Sequence, residues 1–185
     1  MGELARLLER IDAEATTPDG QIRARLSGRM QLALEFRNRS YGSCTDAELG
    51  RRLSRIATML WVRYHREYVE VENSFLGFPE PDPDPEDRRF EQEAEELTVS
   101  ASSPGGWVTM TSRALAFWTV DLAAGTQRSL AQDRFVTEAL ATGSATITAY
   151  RSARMRLLDR YYDLADGLPP WRRSRPAGRP TGERW

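Results

Sequence analysis

Apolar and polar positions alternate in the same phase at two places in this chain, 86 residues apart. The alternation flanks the turn Thr17-Pro18-Asp19-Gly20 and again the turn Ser103-Pro104-Gly105-Gly106. The matching apolar positions ahead of the two turns are Ile11, Ala13 and Ala15 in the first copy and Leu97, Val99 and Ala101 in the second. A period of two predicts β-strands, and a slip of one residue would turn every side chain to the wrong face. The pattern therefore predicts one structural unit present twice.

The first copy predicts a helix, three strands and a long helix. Helical spacing covers residues 2–10, and strands are predicted over 12–17, 21–26 and 30–36 with a polar loop over 37–44. Thr45 and Glu48 form a capping box, which predicts the start of a helix that ends near Asn73.

The second copy repeats this order behind a proline-rich acidic segment. Residues 77–86 read as an extended linker, because alternate prolines exclude a helix. A helix is predicted from about Glu86 to Glu96, strands over 97–102, 107–112 and 116–122, and a last helix from Gln132 to Ala165. The predicted division is unit 1 at 1–76, the linker at 77–86, unit 2 at 87–168 and a disordered arginine- and proline-rich tail at 169–185.

Composition limits the classes of protein. Each unit is small enough to be marginal alone, so we expect the two to pack together. No apolar run suits a membrane span, no signal peptide is visible, and the single cysteine favours a reducing cytoplasm. All 26 basic residues are arginine, which fits either a GC-rich genome or recognition of phosphate and carboxylate groups. The net charge of −1 conceals an acidic middle at 67–96 between two basic ends.

The second unit resembles the YbaB/EbfC family of small nucleoid-associated proteins. The resemblance lies in Glu95-Glu96-Leu97 running directly into a strand, the turn 103–106, the strand ending Thr119-Val120-Asp121-Leu122, and the Gly167-Leu168-Pro169-Pro170 ending. It covers residues 87–171 directly and residues 1–72 through the repeat. Members are typically single units that dimerise, and many bind DNA without strict sequence preference. Relatives also occur in actinobacterial type VII secretion loci. The resemblance implies that this chain supplies both halves of the dimer.

Arginines are the candidate nucleic-acid contacts, because phosphate neutralisation needs several positive charges on one face. The candidates are Arg23, Arg25, Arg29, Arg37, Arg39, Arg51, Arg52, Arg55, Arg113, Arg151 and Arg154. The competing interpretation is a solvated polar face whose arginines pair with nearby acids. The acidic linker is either a solvated spacer or a strip that competes with DNA for the arginines.

Other candidate sites are weaker. Trp107 is predicted on the polar face of its strand, as a contact between units or with a partner. His65 stands alone, which disfavours a metal site. Cys44 lies at a helix N-terminus, a position that could lower its thiol pKa, but no base is evident beside it. Asp82, Asp84, Glu86 and Glu93 imitate part of a calcium loop that Pro83 and Pro85 interrupt.

The sequence therefore predicts an α+β protein. It consists of two tandem helix–three-stranded antiparallel meander–helix units that form an intramolecular pseudo-dimer. We expect a non-enzymatic, cytoplasmic, nucleoid-associated protein without metal or cofactor, because no phosphate loop, Ser-His-Asp set or carboxylate–His pair is visible. The leading function is non-specific DNA binding through arginine–phosphate contacts, with further homo-oligomers possible. The alternative is a protein-interaction adaptor or chaperone, for example in a type VII secretion locus.

Overall fold

The computed structural model describes residues 3–28, 30–76 and 84–162. The helices are α1 Glu3–Leu8, α2 Asp46–Leu76, α3 Pro85–Glu96, α4 Thr126–Ser129 and α5 Gln132–Tyr162, with a 3-10 turn at Ser40–Gly42. The strands are β1 Asp12–Thr16, β2 Ile22–Ser27, β3 Leu32–Phe36, β4 Thr98–Ser102, β5 Val108–Arg113 and β6 Phe117–Leu122. The chain is thus α+β, and its predicted strand and helix order is confirmed in the described ranges.

Two separate antiparallel sheets, β1-β2-β3 and β4-β5-β6, have the same register 86 residues apart. Asp12 pairs with Ser27 in the first sheet, and Thr98 pairs with Arg113 in the second. The turns also correspond, since Thr17 Oγ1 and Ser103 Oγ each accept the N–H of the residue that opens the next strand, at 3.0 and 3.2 Å. α2 and α5 begin and end at equivalent positions, and each has 31 residues.

The structure differs from the prediction at several ends. α3 begins at Pro85, inside the segment predicted as extended, because the Asp84 side chain caps the first turn and proline is tolerated there. The loop predicted over 37–44 contains a short helical turn, and the connection between β6 and α5 contains α4. The predicted linker residues 77–83, the end of the last helix and the tail at 169–185 lie outside the described residues.

One hydrophobic core joins both sheets and both long helices. Its fully buried members include Ile22 and Leu49 from the first copy and Val108 and Phe135 from the second. A smaller cluster around Phe90 and Leu157 fixes α3 against the C-terminal half of α5. Residues of both copies are buried in the same core, which supports the expectation that the small units pack together.

Each long helix reaches across to the other sheet. α2 covers β1 and β2 and also lies along the edge of β6, while α5 covers β4 and β5 and contacts β3. The Ser54 and Thr58 hydroxyls accept the outward N–H groups of Val120 and Trp118, at 2.9 and 3.2 Å. Gly50 permits this approach, because a Cβ there would lie 2.6 Å from the Val120 carbonyl oxygen. The edge of β6 is therefore hydrogen-bonded to a helix of the first copy.

An apolar cavity of about 80 Å³ lies where the two copies meet. Six pairs of residues 86 positions apart line it: Ala24 and Met110, Leu32 and Trp118, Leu34 and Val120, Leu53 and Ala139, Ala57 and Gly143, and Trp61 and Ile147. Equivalent positions of the two copies thus converge on one point.

Candidate functional site

Within the described ranges, four of the eleven predicted DNA-binding arginines, Arg23, Arg25, Arg37 and Arg52, pair with acids. Arg23 pairs with Glu14 and Arg25 with Asp12 across β1 and β2. On neighbouring elements, Arg37 lies 3.5 Å from Glu35, and Arg52 of α2 pairs with Asp19 in the first turn. The outer face of the first sheet, formed by Asp12, Glu14, Arg23, Arg25 and Glu35, is therefore a self-neutralised surface, which we call the charged face.

The pairing alters the acids on the charged face. The hydrogen bond from Arg25 lowers the pKa of Asp12, and the one from Arg23 lowers the pKa of Glu14. A carboxylate held by a guanidinium is stabilised in its ionised form, and each guanidinium is already engaged. The charge of each arginine is thus balanced by an acid, which weakens its attraction for a phosphate.

The remaining predicted arginines are spread over α2, β5, α5 and the loop before the 3-10 turn. Arg51 and Arg55 are exposed one turn apart on α2, with no ion pair to another described residue. Arg113 lies 4.7 Å from the centre of the Phe117 ring, and Arg154 lies 5.4 Å from that of Phe90. Arg39 caps the 3-10 turn at φ 59° and Arg151 is exposed on α5. Arg29 lies outside the described residues.

The outer face of the second sheet carries hydroxyl groups where the first carries ions. Its central residues, which we call the hydroxyl face, are Thr98, Ser100, Ser102, Thr109, Thr111 and Thr119. The side chains of Ser100 and Thr111 are hydrogen-bonded at 3.0 Å, and those of Ser102 and Thr109 at 2.9 Å. Phe117, 60% exposed, lies at its rim beside Arg113, and Asp121 lies at the opposite end of β6.

The hydroxyl face was missed by the sequence reasoning, although its signal was visible. Thr98, Ser100 and Ser102 occupy alternate positions of one predicted strand, and Thr109 and Thr111 do so in the next. Ionisable residues are the usual sign of a functional surface, and the centre of this face has none.

Trp107 lies in a different setting from the one predicted. It precedes β5, is half-buried and packs against the main core. Its ring lies over Gly105, where a Cβ would come within 2.5 Å of Cδ1. Its carbonyl accepts the Ala123 N–H at 3.0 Å. Trp107 thus fixes the first turn of the second copy against the core, and its predicted partner contact stays a prediction.

Cys44 does not have the lowered thiol pKa that a position before a helix favours. Burial raises the pKa of the Cys44 thiol, and the neighbouring carboxylates of Glu48 and Asp46 add to this effect. The start of α2 is capped by Thr45, whose hydroxyl accepts the Glu48 N–H at 3.2 Å, and Asp46 accepts the N–H groups of Gly125 and Gln127 at 2.7 and 3.0 Å. Burial also raises the pKa of the nearby Tyr41 to about 12, and its hydroxyl donates to the Leu130 carbonyl.

Metal-binding geometry is not found within residues 3–28, 30–76 and 84–162, where no three His, Cys, Asp or Glu side chains are grouped to hold an ion. His65 is exposed beside Trp61. In the possible calcium loop, Asp84 caps α3, while Glu93 accepts from Tyr161 and Arg160. Among the described helices, none has an apolar stretch that would cross a bilayer.

Comparisons with protein-family models, with curated proteins and with solved structures find no match to this chain. The evidence on function therefore consists of the two outer sheet faces and the contacts that join the two copies.

Proposed function

We propose that the chain is a fused pseudo-dimer whose second sheet presents a protein-binding surface. The repeat in strand register supports the first part, as do the reach of α2 onto β6 and the six equivalent pairs around the shared cavity. If the two copies were separated, β3 would lose its contacts with α5, and β6 would lose its contacts with α2. Fusion of both halves in one chain also permits their outer faces to diverge, which a homodimer of identical subunits cannot do.

The hydroxyl face carries the proposal of protein binding. Four ionised residues of the charged face, Asp12, Glu14, Arg23 and Arg25, are replaced at equivalent positions by Thr98, Ser100, Thr109 and Thr111. Removing paired charges from water costs more than removing hydroxyl groups, which keep hydrogen bonds to each other or to a partner. A surface with an uncharged centre, rimmed by an exposed Phe117, is accordingly suited to burial by another protein. We assign the chain the role of a non-enzymatic interaction module.

Association with DNA is the second candidate, and one observation favours it. Arg51 and Arg55 project from adjacent turns of α2 without an acidic partner in the described ranges. Two such charges contribute about two phosphate contacts, and the affinity for DNA and its salt dependence both grow with the number of such contacts. The pairing of Arg23, Arg25 and Arg37 with acids lowers the positive charge that the first sheet would offer to DNA.

Site-specific photo-cross-linking in the native host cells tests the proposal. A photoreactive amino acid replaces Thr119 on the hydroxyl face or, as the matched control, Ala33 at the equivalent exposed position of the charged face. We expect a discrete protein adduct from position 119 that position 33 does not give. The proposal is wrong if both positions give the same adducts, or if neither does while a probe at Arg55 cross-links DNA.

A further inference from the structure

The outer edge of β4 is an open edge of the second sheet. The Ala114 N–H donates to the Leu97 carbonyl and the Ser103 N–H to the Val108 carbonyl, both at 2.8 Å, so the odd-numbered residues bond to β5. In an antiparallel ladder the intervening backbone groups point the other way. Those of Thr98, Ser100 and Ser102 therefore face outward, and they make no backbone hydrogen bond within the described part of the chain.

The equivalent edge of the first sheet is protected. β1 carries the charges of Asp12 and Glu14, and Arg63 of α2 donates to the outward carbonyl of Glu14. Charged residues and covering side chains are the usual means by which natural proteins block an edge strand. β4 carries no charge, and Ala149 stands on α5 where α2 has Arg63. The protection present in one copy is thus missing from the other.

The inner side of β4 is also incompletely covered. Val99 and Ala101 are partly exposed, whereas their counterparts Ala13 and Ala15 are each only 1% exposed. An additional strand beside β4 would cover this apolar surface and pair the outward backbone groups at once.

We propose that the strand that fills this place is β4 of a second copy of the chain. When two β4 strands run antiparallel about Ser100, Thr98 lies opposite Ser102 of the second copy, Ser100 opposite Ser100, and Val99 opposite Ala101. The outward-pointing residues then become the hydrogen-bonded pairs. Hydroxyl side chains meet hydroxyl side chains on one face and apolar ones meet apolar ones on the other, so the strand is complementary to itself.

Antiparallel pairing with a second copy of itself is unfavourable for β1. Its central residue Glu14 would lie opposite Glu14 of the second copy, and like charges directly opposite destabilise a strand pair. Pairing through β4 instead joins two sheets into six strands, with one continuous hydroxyl face. This inference does not rest on the proposed function, because dimerisation and capture of another protein are measured separately.

Sedimentation equilibrium of the full chain over a wide concentration range tests the pairing. We expect a monomer–dimer equilibrium. Ser100→Pro removes the two central N–H donors, one from each copy, while edge strands tolerate proline, so it should weaken the dimer about tenfold or more. Thr119→Glu, on the same face but away from the edge, should leave the dimer constant unchanged. A wild-type chain that is monomeric at every concentration overturns the proposal, as does equal weakening by both variants.

Mixing two variants of opposite charge tests the pairing independently of folding, because misfolded variants would not regain association when mixed. Ser100→Glu and Ser100→Arg should each be monomeric, because two like charges meet at the centre of the pair. Mixed in equal amounts, the two variants should form a heterodimer, since the opposite charges then face each other. Failure of the mixture to associate, with both variants folded by circular dichroism, contradicts a two-fold pairing about Ser100.

Discussion

Substitution of Gly50 by alanine tests the docking of α2 onto the second sheet. In an isolated helix this change stabilises, because alanine is favoured over glycine by about 1 kcal/mol. In this fold the new Cβ would lie 2.6 Å from the Val120 carbonyl oxygen, which is fixed backbone. The sign of the effect therefore depends on whether α2 lies on β6.

The magnitude follows from the displacement that the methyl group demands. Ordinary contact begins near 3.4 Å, so α2 must retreat by about 0.8 Å. A retreat of that size breaks the 2.9 Å bond between the Val120 N–H and Ser54 Oγ. Overpacking and an unsatisfied N–H each cost roughly 1–3 kcal/mol, against a helix gain of about 1 kcal/mol. We expect a net destabilisation of about 2 kcal/mol, or ~4–8 °C in Tm.

Urea denaturation followed by circular dichroism provides the assay, and Gly143→Ala on α5 is the matched control. A Cβ at Gly143 would meet the end of the flexible Leu32 side chain at 3.0 Å, beside the shared cavity into which that side chain can turn. We expect Gly143→Ala to stabilise by about 0.5 kcal/mol. Stabilisation by both substitutions would refute the docking of α2 on β6.

Three further predictions concern charged and titratable groups. Asp46→Ala leaves two N–H groups of the second copy without their acceptor and should cost about 1–3 kcal/mol in urea denaturation, whereas Glu70→Ala on the exposed helix surface should cost less than about 0.5 kcal/mol. Alkylation of Cys44 should remain slow until the pH exceeds the usual thiol value of about 8.5, because its pKa is raised; rapid alkylation at neutral pH would contradict this. Asp12 and Glu14 have lowered pKa values in the fold, so their stabilisation is complete above about pH 5 and is lost as the pH falls through those values; the urea midpoint of Asp12→Asn with Glu14→Gln should accordingly fall less on acidification than that of the wild type.

Much of the fold was accessible from the sequence because local signals agreed with one another. Alternation fixed the phase of the strands, and the Thr45 and Glu48 capping box located the start of α2. The turn after β5 was less readable, since it lacks glycine yet places Ala114 and Leu115 at φ 52° and 56°. Tertiary contacts hold that turn: Leu115 is fully buried, and its carbonyl accepts Trp118 Nε1 at 2.6 Å.

The candidate site was less accessible, because it depends on pairing across strands and between copies. Arg23 and Arg25 look alike in sequence whether they are free or bound to Glu14 and Asp12, and only the register decides. Cys44 similarly precedes a helix, but burial outweighs any effect of the helix terminus on its pKa. Composition identified the ionisable residues but not their partners.

The repeat itself offers the most direct test of the hydroxyl face. Thr98→Asp, Ser100→Glu, Thr109→Arg and Thr111→Arg together place the ion pairs of the charged face onto the second sheet in the same register. The variant with these four substitutions should fold, because the new side chains can form the same ion pairs as in the first sheet. The reciprocal variant, with hydroxyl residues at Asp12, Glu14, Arg23 and Arg25, is the control. In affinity purification from the native host, we predict that the first variant loses the protein captured by the wild type and that the control keeps it. Undiminished capture by the first variant, or its loss by the control alone, would contradict the assignment.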